Sequence, residues 1–266
     1  MFQSNPFYMK IEGPYALFTD PMSKGGGEKF TYQVPTVQAL KGIIEAVYWK
    51  PTLSYVVDEL KVLHPIQTET KSILIPLPNK DKNPGNSKDL SHYTYLRNIS
   101  YAVKFHFEWA PRPDLAQDRN EKKHEQILLR SMSKGGRHDI FLGTRECIGF
   151  IERLRACEYD RLQPPASAFS GTISLGIMFH SFAYMEWQQK NEPKGTLISL
   201  FAPTVMNKGV ITFMRSEDCP IRHDLHDYKV KEFLPGTYRP VEEEWKHMQE
   251  EGEAVHESLT SLTNNI

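Results

Sequence analysis

Only three of the 266 residues are cysteine, Cys147, Cys157 and Cys219, and no two stand at a Cys-x-x-Cys spacing. That excludes a disulfide framework and a thiolate zinc site, and it suits free thiols in a reducing cytosol. Long apolar runs are equally scarce. Mean hydropathy is −0.50, and no stretch approaches the roughly 18 apolar residues of a membrane span. The first residues, Met1-Phe2-Gln3-Ser4-Asn5-Pro6, carry neither a basic region nor an apolar one, so no secretory leader is expected. A cytoplasmic protein with no membrane partner is the expectation. What remains is ordinary globular usage, 39% hydrophobic and 24% charged, in a chain long enough to bury a core unaided.

A surplus of either charge is also missing. Thirty-two Lys and Arg oppose 33 Asp and Glu, a net of −1, which on its face argues against a nucleic-acid partner. The sum hides an asymmetry. Residues 241–266 hold seven acidic residues and one basic one, leaving 31 basic against 26 acidic, a net of +5, over residues 1–240. Charge is better read segment by segment.

Alternation at Phe7, Met9 and Ile11 predicts a first strand, ended by Gly13-Pro14. Residues 20–29, with Gly25-Gly26-Gly27, read as a loop carrying Lys24 and Lys29. Thr36 is an N-cap candidate before the helical spacing Val37, Leu40, Ile44, Val47, and Pro51 follows, giving a helix at about 36–49. A strand is expected over Val56–Ile66 and a long loop or inserted hairpin over residues 76–92. The clearest strand runs from 97 to 109, with Ile99, Tyr101, Val103, Phe105 and Phe107 on one face. Asn120–Lys134 reads as a second helix with His124, Ile127, Leu128 and Ser131 on one stripe, ended by Gly135-Gly136. A strand follows at Glu146–Arg155. The order strand, helix, strand, strand, helix, strand is the βαββαβ plan of a ferredoxin-like domain. Strand patterns at 172–187, 196–201 and 209–214 predict a small antiparallel β domain after it. The expected class is therefore α+β: a ferredoxin-like domain over 1–160, a β domain over 161–240, and an acidic tail over 241–266.

The Gly triplet lacks the GxxxxGK[ST] arrangement and opens no helix, so it reads as a mobile loop before a phosphate cradle. Arg222-His223-Asp224-Leu225-His226-Asp227 reads as a polar loop; no third ligand points to a metal. Arg119–Arg137 is more informative, with six basic residues against two acidic ones. There Lys123 and His124 open a helix, whose N-terminal N–H groups suit a phosphate. Histidine exchanges a proton near neutrality, and lysine offsets charge developing on a phosphorane. A solvated basic face with an incidental histidine is the plainer reading of that segment alone. Tyr48-Trp49 likewise reads first as two rings packing the first helix onto the sheet.

These segments together resemble a family. Val34-Pro35-Thr36, followed by Gly42-Ile43-Ile44-Glu45-Ala46-Val47-Tyr48-Trp49-Lys50-Pro51, resembles the first-helix signature of the CRISPR-associated Cas-five proteins of the Dvulg, or type I-C, subtype. Asn120-Glu121-Lys122-Lys123-His124, with Arg130, Lys134-Gly135 and Leu142-Gly143-Thr144-Arg145-Glu146, resembles that family's second helix and following loop. Leu96-Arg97-Asn98-Ile99-Ser100-Tyr101 fits the strand between them. The resemblance covers roughly residues 7–160 and implies a RAMP-superfamily protein with a ferredoxin-like (RAMP/RRM-like) fold. It implies metal-independent cleavage of CRISPR repeat hairpins in precursor crRNA, without a cofactor. It also implies retention of the crRNA 5′ handle beside the backbone and large subunits of Cascade. The catalytic tyrosine falls on Tyr48 and the Lys-His pair on Lys123 and His124. Lys24, Lys29, Arg130, Lys134, Arg137 and Arg145 are the expected RNA contacts. The competing expectations are a non-catalytic handle-binding scaffold and a small-molecule enzyme on the same fold.

Overall fold

The structure, a computed structural model, describes residues 2–21, 23, 28–76, 88–111, 113–189 and 192–229. The expectations for Lys24, the Gly triplet and the acidic tail lie outside those residues. The fold is α+β, dominated by antiparallel sheet. In chain order the elements are β1 (Phe7–Ala16), α1 (Val37–Val47), β2 (Leu53–Val62), β3 (Thr68–Pro76), β4 (Lys88–Trp109) and α2 (Glu121–Ser133). Then follow β5 (Ile140–Phe141), β6 (Ile148–Leu154), α3 (Ala156–Arg161), β7 (Thr172–Gln189), β8 (Glu192–Asn207), β9 (Val210–Thr212) and β10 (Ile221–Lys229). The strand order is β10-β8-β9-β2-β4-β1-β6-β5, with β3 paired to β4 and β7 to β8. Two compact units divide the chain. One is Met1–Met185 with Thr196–His226, and the other is Glu186–Gly195 with Asp227–Ile266. Among the described residues no helix is long and apolar enough to cross a membrane.

β1 and β4 form the centre. Phe7 pairs with Phe105, Met9 with Val103 and Ile11 with Tyr101, so their side chains share one face, the face covered by the helices. α1 lays Val37, Leu40, Ile43, Ile44 and Val47 into this core, and α2 adds Leu128 and Met132. The other face of β4 is also covered. Ala102, Leu154 and Tyr159 form a second cluster there, with Tyr159 supplied by α3. Alternation along β4 suggests one solvated face, yet Ser100, Ala102 and His106 are all buried. A six-residue helix placed across a sheet leaves no strand-period signal to read.

Two local expectations change and one of two alternatives is chosen. β1 continues past Gly13-Pro14 to Ala16, because Gly13 pairs with Ile99 and Tyr15 with Arg97. Of the two alternatives for 76–92, the described residues follow the hairpin, with β3 and β4 in register from Thr68↔Leu96 to Pro76↔Lys88; residues 77–87 lie outside the described set. The His223–Asp227 segment belongs to strand β10, not a loop. Three residues apart on a strand, His223 and His226 lie on opposite faces. Among the described residues no three His, Cys, Asp or Glu side chains converge as metal ligands.

α1 is started by Thr36, whose Oγ1 accepts from the N–H of Ala39 at 3.2 Å. Thr36→Ala leaves that donor unpaired, and a lost N-cap costs about 1 kcal/mol. Urea unfolding should report a fall of that size with an unchanged m-value.

Candidate active site

α1 stops at Val47, and Tyr48 leaves it in extended conformation (φ −160°, ψ 123°). Its main-chain carbonyl is held by the hydroxyl of Tyr55 on β2, 2.7 Å away. The turn therefore aims the Tyr48 ring inward instead of continuing the helix. α2 starts with Asn120, whose Oδ1 accepts from the N–H of Lys123 at 3.1 Å. That cap sets the helix register. Lys123 is exposed, while His124, one residue on, is turned into the core.

The two meet there. Tyr48 Oη lies 2.8 Å from His124 Nδ1, and His124 Nε2 lies 2.8 Å from the main-chain oxygen of Asp118. A carbonyl oxygen only accepts, so Nε2 carries the proton. In the tautomer that carries only this proton, Nδ1 accepts and the Tyr48 hydroxyl donates. The rings of Trp109 and Phe107 meet it edge-on, with centroids at 5.8 and 6.5 Å. Tyr48 is 1% exposed and His124 0%. Burial pushes the Tyr48 phenol above its ordinary pKa, against the opposing pull of Arg137 and Lys123. The tyrosine is thus a neutral donor near neutral pH.

Lys123 and Asp118 form an ion pair, and Thr52 Oγ1 donates to the other carboxylate oxygen at 2.8 Å. These contacts, that from Lys123 foremost, hold the Asp118 carboxyl below the usual carboxylate range. A depressed folded-state pKa gives stability that is present above the unfolded value, near 4, and is lost as pH falls through the folded value. Asp118→Asn should therefore flatten the acid limb of the thermal-unfolding profile below about pH 4. An acid limb unchanged by the substitution would show that the pair adds no linkage.

The structure brings Tyr48, Lys123 and His124 into one cluster. Of the proposed RNA contacts among the described residues, Arg137 joins them, with its guanidinium 4.8 Å over the Tyr48 ring. Arg130 and Lys134 are exposed at the end of α2, and Arg145 is exposed in the loop before β6. Lys134 and Arg137 also line an open groove of about 540 Å3 whose other wall includes Ile148 and Phe150 of β6. Lys29 lies elsewhere, 4.9 Å over the ring of Tyr93. Of the Tyr48-Trp49 pair only the tyrosine packs; Trp49 is exposed. Asp118, Thr52, Tyr55 and Trp109 escape a sequence reading. Asp118 pairs with Lys123 across a non-helical turn, and Thr52 reaches it from a distant loop. Neither spacing is a recognisable pattern.

The family model described as CRISPR-associated protein (Cas_Cas5) matches residues 8–214. Two curated relatives are named CRISPR pre-crRNA endoribonuclease Cas5d. The one from Mannheimia succiniciproducens is 29% identical over 149 residues, 50% of this chain and 64% of that protein. The one from Thermus thermophilus is 29% identical over 183 residues, 67% of this chain and 73% of that protein. The chain thus matches less than two thirds of the length of the first. A crystal structure of a CRISPR-associated protein is 40% identical with a TM-score of 0.67, covering 84% of this chain and 98% of its own. The functionally uncharacterized protein SMU1763c from Streptococcus mutans is 41% identical with a TM-score of 0.67, covering 84% and 99%.

Proposed function

The chain belongs to the Cas5 family of CRISPR-associated proteins, and from that membership we propose that it is a metal-independent endoribonuclease that cleaves the repeat hairpins of precursor crRNA. The observation that carries the reading is the hydrogen-bonded Tyr48–His124 pair with Lys123 beside it. The names of the two curated relatives support the activity. A ferredoxin-like plan is supported by the order β2-β4-β1-β6, all antiparallel, with α1 between β1 and β2 and α2 between β4 and β6. After cleavage the protein keeps the 5′ handle and joins the backbone and large subunits of Cascade in the cytoplasm.

The ribose 2′-OH attacks its own 3′ phosphate. The O2′–P bond forms, the P–O5′ bond breaks, and the products are a 2′,3′-cyclic phosphate and a 5′-OH end. Tyr48 Oη takes the 2′ proton as it passes its own to His124 Nδ1, so no full phenolate forms in a setting that disfavours one. Solvent protonates the departing O5′, and the proton held on His124 Nδ1 returns to solvent when the product leaves. The Lys123 ammonium offsets charge developing on the phosphorane. RNA must first uncover Tyr48, and the exposed Arg137 guanidinium over its ring is the group free to move onto a phosphate. Stem recognition rests on shape, phosphates and the unpaired flank, because A-form RNA hides its major-groove base edges.

Burial of Tyr48 and His124 in the free protein favours one second reading, a handle-binding scaffold in which the pair only braces the two helices. Incubation of repeat RNA with the protein in excess EDTA separates the two. Cutting at one position with a cyclic-phosphate end, abolished by a single 2′-deoxy substitution there, supports the nuclease. Binding without cutting supports the scaffold, and cutting that EDTA stops overturns the mechanism.

A further inference from the structure

One residue outside the proposed trio touches both of its polar ends. Asp118 closes a 3₁₀ turn, Pro113–Asp118, just before α2. Its main-chain oxygen accepts from the Asn120 N–H and from His124 Nε2–H, each at 2.8 Å. Its side chain holds Lys123 through one oxygen and is held by Thr52 through the other. Thr52 is itself buried and lies in the turn between Tyr48 and β2, so one oxygen of the half-exposed carboxylate is fixed by a buried neighbour. The same arrangement ties together the start of α2 and the turn after α1, the two segments that present His124 and Tyr48.

We propose that Asp118 is the positioning residue of this site: its Thr52-braced carboxylate holds the Lys123 ammonium beside the Tyr48–His124 pair, while its main-chain oxygen selects the His124 tautomer that receives the Tyr48 proton. This rests on the cleavage reading above. It assigns Asp118 no contact with RNA. Lysine is a flexible four-carbon arm, and without its partner the ammonium samples many rotamers. Transition-state stabilisation needs the charge already in place. A carboxylate beside a phosphate site also repels RNA. Its removal therefore lowers turnover without weakening binding, a combination that a purely structural brace does not produce.

The test is cleavage of a repeat-hairpin RNA by the unaltered protein, Asp118→Asn, Lys123→Ala and the double variant. Asp118→Asn should lower kcat by about tenfold while KM stays level or falls. On the Lys123→Ala background it should change kcat no further, because the group it positions is gone. Thr52→Val should give a smaller loss in the same direction. A kcat within twofold of the unaltered protein, or losses from the two single substitutions that multiply in the double variant, would overturn the proposal. The 1H–15N signal of the Lys123 ammonium supplies a readout independent of activity. The ion pair should protect it, and Asp118→Asn should abolish it. Uncut RNA together with that change would end the cleavage reading alone, whereas a signal indifferent to Asp118→Asn would end the positioning proposal.

Discussion

Replacement of His124 by alanine should reduce repeat-RNA cleavage by about 10²–10⁴-fold, the usual worth of a positioned acid or base. The effect is large because His124 Nδ1, 2.8 Å from Tyr48 Oη, is the acceptor on which the proposed proton relay depends. Alanine also leaves the Tyr48 hydroxyl and one lone pair of the Asp118 oxygen unpartnered in a buried space, which costs about 1–3 kcal/mol per group. Lost fold and lost chemistry must therefore be separated. Tyr48→Phe keeps the ring and its packing and removes only the hydroxyl, so it should lose cleavage with a smaller loss of stability. Lys123→Ala should lose cleavage with little change in stability, since exposed ion pairs contribute about 0–1 kcal/mol. Single-turnover rates, RNA affinity and urea unfolding on the three variants give the comparison. A His124→Ala protein that still cuts within threefold of the unaltered rate would show that imidazole chemistry is not part of the reaction.

Gly143→Ala should be among the most damaging substitutions outside that cluster, destabilising by about 3 kcal/mol or more. Gly143 has φ +93°, and a Cβ there would overlap the main-chain oxygen of Leu17. The overlap is with backbone that cannot step aside, because the Leu17 N–H bonds the Leu142 oxygen at 3.0 Å. Gly135 is the control. It also has positive φ, +83°, but a Cβ there meets nothing within 4 Å, so Gly135→Ala should cost about 1 kcal/mol. Urea unfolding should separate the two clearly. Equal, small losses would mean that the loop shifts to admit a methyl group. Part of the Leu142–Glu146 motif is thus backbone geometry: its glycine lets the loop close against the end of β1, and Arg145 stands exposed on the result.

Much was legible along the chain because the signals are local. Periodicity marked α1, α2 and the second half of β4. Thr36 caps α1 as its position suggested, because a capping side chain bonds an N–H three residues away, and Asn120, read as the first residue of its helix, caps α2 in the same way. Family-like segments pointed to Tyr48, Lys123 and His124, which the fold brings together. Less was legible where a partner comes from afar. α3 covers a strand face that alternation left to solvent, and β10 is a strand that its charges disguised as a loop.

The opening scarcity of net charge ends as a matter of placement. Sequence alone determined which residues carry positive charge between Arg119 and Arg137, and which of them share a helix with the one histidine in that stretch. Tertiary structure alone decided that Tyr48, 76 residues away, lies within hydrogen-bond distance of that histidine, that Asp118 holds Lys123, and that Arg137 lies over the tyrosine while Lys29 does not. Helical periodicity is written in neighbours three and four residues apart, whereas a proton path is made by side chains whose distance is set only when two helices pack on one face of a sheet.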